Sequence, residues 1–72
     1  MGSKYPILRP NEIITALSKK GFVFKSKKGS HAKYSNGSKI YVIPMHDIVA
    51  KGTLKSILIQ AGIELNDFLK LL

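Results

Sequence analysis

The chain has no cysteine, two histidines and only four acidic residues against twelve lysines and arginines in 72 positions. Without cysteine, neither a disulfide nor a thiolate metal site can staple the fold. The 44% hydrophobic content has to hold it together, although a chain this short hides only about 60% of its extended surface on folding. No apolar run approaches the roughly 20 residues that cross a bilayer, and no signal-peptide pattern is visible. A soluble cytoplasmic domain spanning 1–72 is therefore expected, monomeric when free, with residues 1–4 read as a flexible lead or tag remnant. The two histidines and the scattered acids show no metal-ligand spacing, and no phosphate-cradling glycine loop is present. Neither a metal nor another cofactor is expected.

What the chain does have is positive charge, and unevenly. The formal net charge is +8. All of this excess lies between Met1 and His46, because the segment from Asp47 to Leu72 balances Lys51, Lys55 and Lys70 against Asp47, Glu64 and Asp67. Such asymmetry favours a polyanionic partner such as nucleic acid, then an anionic protein, over a plain solubilising surface.

Local signals order the chain as helix, three strands, helix, helix. Pro10 suits a first helical position, Ile13, Ala16 and Leu17 follow at helical spacing, and Gly21 supplies a left-handed stop. Phe22 to Ser26 reads as a strand with Phe22 and Phe24 on one face. Ser30 to Ser35 alternates, with Ala32 and Tyr34 pointing one way and His31 and Lys33 the other. Asn36-Gly37 predicts a two-residue type I′ hairpin. Lys39 to Ile43 forms the third strand; an outward Lys39 would turn Ile40 and Val42 inward, but the apolar run fits either face. After a loop from Met45 to Lys51, Thr53 is expected to cap a helix whose buried stripe is Leu54, Ile57, Leu58 and Ala61, ended by Gly62. A last helix carries Leu65, Phe68, Leu69 and Leu72 on one stripe. Both sets of helices should cover the same face of an antiparallel meander, giving a two-layer α+β domain. The other face is left open.

The stretch Lys27-Lys28-Gly29-Ser30-His31-Ala32-Lys33-Tyr34 places one imidazole among three ammonium groups. Imidazole is the only side chain whose unperturbed titration lies near neutrality, so it exchanges protons at pH 7. Lysines beside it hold phosphate. RNA supplies its own nucleophile, the 2′-OH. An enzyme therefore needs only to remove that proton, stabilise the phosphoryl oxygens and protonate the leaving 5′ oxygen. This pattern suggests a small metal-independent ribonuclease, with His31 as base and Lys33, together with Lys27 or Lys28, on the phosphate. Gly29 and Ser30 offer backbone and hydroxyl donors, or else form a plain hairpin turn. Lys20, Lys25 and Lys39 either track an RNA backbone or form a solvated rim. Tyr34 and Tyr41 either stack on a base or pack in the sheet.

Three blocks of residues match a known pattern: Gly21-Phe22 after the first helix, Gly29-Ser30-His31 at the second strand, and Pro44-Met45-His46 leading to Gly52-Thr53-Leu54-Lys55-Ser56-Ile57-Leu58 and Ala61-Gly62. In this order and spacing, from about Tyr5 to Leu72, the chain resembles the HicA family of toxins. That resemblance implies a double-stranded-RNA-binding-domain-like fold, ribosome-independent cleavage of messenger RNA, and neutralisation by a HicB-type antitoxin. It places the family's catalytic histidine on His31. The histidine of the Pro-x-His block falls on His46, a possible leaving-group acid whose other reading is a loop-fixing residue. Ala32 stands where many members carry a second histidine or a bulky residue, which points to a single-imidazole mechanism. The rival reading is a non-catalytic module that grips duplex RNA by shape. A DNA-binding adaptor is a weaker third, because the basic residues lie on strands and turns rather than on a recognition helix.

Overall fold

A computed structural model describes residues 5–72; the expectation for residues 1–4 lies outside them. The elements are α1 (Pro10–Ser18), β1 (Val23–Lys28), β2 (His31–Ser35), β3 (Ile40–Pro44), α2 (Lys51–Ala61) and α3 (Leu65–Leu69). The strands form one antiparallel sheet in the order β1-β2-β3. The fold is a small α+β domain, as the sequence signals imply.

Each boundary has a local cause. Pro10 opens α1, and the Glu12 carboxylate accepts the Arg9 N–H at 2.8 Å, satisfying a donor at the helix start. Before α1, the Val49 N–H donates to the Leu8 carbonyl at 2.8 Å, tying the extended lead-in to the loop after β3. At the other end of α1, Lys19 Nζ donates to the Leu71 carbonyl at 2.7 Å and anchors the C-terminal segment. Gly62 closes α2 at φ 71°, and the Lys39 side chain lies over it.

Both hairpins turn on Gly-Ser pairs. Lys28 faces His31 across Gly29-Ser30, and Asn36 N–H donates to the Lys39 carbonyl around Gly37-Ser38. Gly29 (φ 62°) and Gly37 (φ 94°) take the positive φ, and among the described residues no non-glycine does, which is the order a type II′ turn requires. The second turn is therefore centred one residue later than the Asn36-Gly37 expectation. Asn36 serves through its side chain instead, with Oδ1 accepting the Ser38 and Lys39 N–H groups at 2.9 and 2.7 Å.

One core holds the layers together. Ile13, Ala16 and Leu17 of α1 and Leu54, Ile57, Leu58 and Ala61 of α2 pack with Ala32, Tyr41 and Ile43 of the sheet, along with Phe22, Val49 and Phe68. Three expectations are corrected here. Tyr41 and Ile43, not Ile40 and Val42, face the helices, and Ile40 is 51% exposed. Phe22, buried just before β1, and Phe24, exposed and packed edge-on against Tyr34, lie on the same helix side of the sheet and differ only in burial. Thr53 lies inside the first turn of α2, whose cap position is Ala50, without a side-chain hydrogen bond. The last stripe stops early: Phe68 is fully buried, but Leu72 is exposed beyond the end of α3.

Tyr41 sits between the rings of Phe22 and Tyr34, edge-on to the first and stacked on the second. Its hydroxyl is buried and finds no hydrogen-bond partner among the described residues. Desolvation, then the neighbouring Tyr34, pushes the phenol well above its ordinary range. A buried polar group without a partner costs stability. Tyr41→Phe should therefore raise stability at neutral pH by up to about 1 kcal/mol. Because the folded-state phenol resists ionisation, the wild type should lose stability as pH rises past the unfolded-state value near 10, and the variant should lose less. Urea unfolding at several pH values checks both; a destabilised variant would mean that the hydroxyl is bonded.

Candidate active site on the open face of the sheet

Directly opposed residues in an antiparallel ladder share a face, so the register defines the uncovered surface. Three rows cross it. Lys28, His31 and Pro44 form the first, Ser26, Lys33 and Val42 the second, and Val23, Ser35 and Ile40 the third. His31 is exposed, as are Lys28 and Lys33. Cross-strand neighbours of this kind have Cβ atoms about 4.5–5.5 Å apart, and Lys33 is two residues, about 6.8 Å, along the strand. Ser26, Lys28, His31, Lys33 and Val42 line one shallow depression of about 350 Å³.

A bulge decides which lysine faces the imidazole. Phe24 pairs with Tyr34 and Ser26 with Lys33, leaving Lys25 as the extra residue. Strict alternation from Val23 would have put Lys25 and Lys27 on the open face. The bulge moves the pattern on by one, so Lys28 opposes His31 while Lys27 opposes the buried Ala32 and extends from the helix side of the sheet edge. Of the two lysines expected as alternatives on the phosphate, the structure brings only Lys28 to His31.

Gly29 and Ser30 form the turn that joins these two residues. The Ser30 carbonyl accepts the Met45 N–H, extending the ladder past Pro44, while its hydroxyl has no partner among the described residues. His46 is exposed in the following loop and lines a different depression with Arg9, Pro10, Asn11, Met45 and Asp47. The structure does not bring it into the His31 depression. Neither tyrosine ring reaches the open face: Tyr41 is fully buried, and Tyr34 stacks on it from the helix side. Lys39 packs across Gly62, and Lys25 is the bulge itself. Among the described residues, no three His, Cys, Asp or Glu side chains come together to hold a metal ion.

A family model described as the HicA toxin of bacterial toxin–antitoxin matches residues 10–63, most of the chain. The chain belongs to the HicA toxin family. No curated protein matches it significantly. The matched span contains all three rows of the open face, both Gly-Ser turns and His46, and it ends just past the Gly62 stop of α2. Within this HicA chain, sequence reasoning missed Val42 as a lining residue, because the third strand is apolar at every position from Ile40 to Ile43 and alternation gave no parity. Pairing with Lys33 is the signal that finds it. Among the described residues, no helix is long and apolar enough to cross a membrane.

Proposed function

We propose that this toxin is a metal-independent endoribonuclease of messenger RNA, active as a monomer in the cytoplasm, with His31 as the general base. The observation that carries this reading is an exposed imidazole with one ammonium opposite it and another beside it, all in one depression. His31 takes the proton from the 2′-OH, whose oxygen then bonds to the adjacent phosphorus. The P–O5′ bond breaks, leaving a 2′,3′-cyclic phosphate on one product. Lys28 and Lys33 hold the non-bridging oxygens as charge builds on them, aided by the Gly29-Ser30 turn. With His46 in another depression, the proton for the 5′ oxygen falls to a lysine ammonium or to water. A HicB-type antitoxin with an acidic surface would cover the same face and exclude RNA.

Lys28 and Lys27 are adjacent in sequence but on opposite sides of the sheet edge, so their variants separate a site from a general charge effect. Lys28→Ala should lower kcat/KM on a defined RNA by about tenfold or more, since hydrogen bonds to charged groups contribute about 1.5–3 kcal/mol. Lys27→Ala should cost much less. Equal losses would reduce the lysines to a diffuse attraction. The function itself is tested by incubating the purified protein with single-stranded RNA in EDTA. Cleavage is expected, and intact RNA with tight duplex binding would instead favour a shape-recognising binding module.

A further inference from the structure

The open face is not uniformly basic. Beside the Lys28–His31 pair, Val42 lines the same depression, and beyond it Ile40 and Val23 are 51% and 54% exposed in the next row. Val42 stands diagonally across the β2–β3 ladder from His31, about 7–8 Å away. Its backbone is held in place, because its N–H donates to Gln60 Oε1 of α2 at 3.2 Å. Its side chain is left half-exposed among cations. An aliphatic surface in that position has no part in holding phosphate, and it is free of the helix layer.

We propose that Val42, continued by Ile40, is the apolar floor against which the base of an unpaired nucleotide next to the scissile phosphate rests. The proposal deepens the ribonuclease reading and rests on it. Three observations favour a nucleotide as occupant over a protein side chain. Val42 and the phosphate-holding lysines share one depression, so one ligand has to satisfy both. The offset between the His31 and Val42 rows is two residues along a strand, about 6.8 Å, a span that a sugar bridges between its phosphate and its base. Among the described residues the three rows of the face also hold no aromatic ring, since Tyr34 contacts Phe24 and Tyr41 on the helix side, so the base meets methyl groups rather than a stacking platform. Every base has an apolar face to offer, but in a duplex that face is stacked inside the helix. Holding one base out of the stack also frees the backbone to bring its 2′-OH into line with the leaving oxygen, so the contact should act on kcat as well as on KM.

The test is a cycle of two enzymes on one intact and two abasic substrates. A short single-stranded RNA with one mapped cut is compared with the same RNA carrying an abasic site beside that cut, placed in turn on its 5′ and its 3′ side. Removing a methylene from an apolar contact corresponds to about a fourfold change, so Val42→Ala, which removes two carbons, should lower kcat/KM on intact RNA by roughly fifteenfold. On the abasic RNA of the relevant side, wild type should fall by a similar factor and Val42→Ala should fall no further. Val42→Thr keeps the β-branched shape of a strand residue and replaces one methyl by hydroxyl. It should show the same pattern in weaker form, and it carries the test if the alanine variant unfolds early. Equal losses from the substitution on intact and on both abasic RNAs would overturn the proposal while leaving the nuclease reading in place. So would normal cleavage by the variant combined with weaker antitoxin binding, which would assign the apolar rows to a protein contact. Absence of cleavage by wild type would overturn both.

Discussion

Replacing His31 by alanine should abolish detectable RNA cleavage and leave the protein folded. The size of the loss follows from the role. General acid–base help contributes about 10²–10⁴ in rate, and no other imidazole enters the depression to replace it, because His46 lines a different one. The lysines remain, so RNA binding should persist with much of its salt dependence, separating a chemical defect from a binding defect. The fold should be indifferent, because exposed positions away from caps and special backbone conformations usually change stability by within about 0.5 kcal/mol. Product formation from a defined RNA in EDTA, with thermal unfolding of the same preparation, checks both halves. A His31→Ala protein that cuts at the normal rate would remove His31 from the mechanism.

The largest stability effect should come from Phe68→Ala. Phe68 is completely buried and is the only fully buried residue of α3, joining the core shared by α1, α2 and the sheet. Truncating a buried phenylalanine costs about 3–5 kcal/mol. A core in a domain of this size seldom supplies more than about 3–5 kcal/mol in total. The variant should thus be largely unfolded at room temperature, with its urea transition lost or shifted close to zero denaturant. Leu72→Ala is the control, because Leu72 is exposed beyond the end of α3 and should leave the midpoint almost unchanged. A Phe68→Ala protein with a normal midpoint would mean that α3 is an appendage and not part of the core.

These two variants also mark how far local signals reach. Pro10 and Gly62 have their effects through backbone geometry that no neighbour has to supply, and each bounds its element where its chemistry implies, whereas Gly21 takes its positive φ of 86° two residues past the Lys19 cap of α1. The stripe of α2 likewise follows from helical spacing alone. The stripe from Leu65 to Leu72 overran, because spacing says which residues could share a face but not where the rest of the protein ends. Thr53 has a capping side chain, yet α2 begins ahead of it, at Lys51. Asn36-Gly37 marked the hairpin, but the Asn36 amide oxygen bonds two N–H groups ahead of it, which holds Asn36 outside the turn's centre.

From the residues alone came the element order, the α+β class, the one-sided charge and the alternation that sets His31 and Lys33 opposite to Ala32 and Tyr34. All of these depend on neighbours within a few positions. Tertiary pairing decided the parity of β3 and the bulge at Lys25, and with them that Lys28 and Val42 join His31 while Lys27 does not. The physical reason is the two-residue period of a strand. A shift of one residue exchanges its faces, and in runs such as Lys25 to Lys28 or Ile40 to Ile43 both faces look alike until a partner strand and a helix layer choose between them.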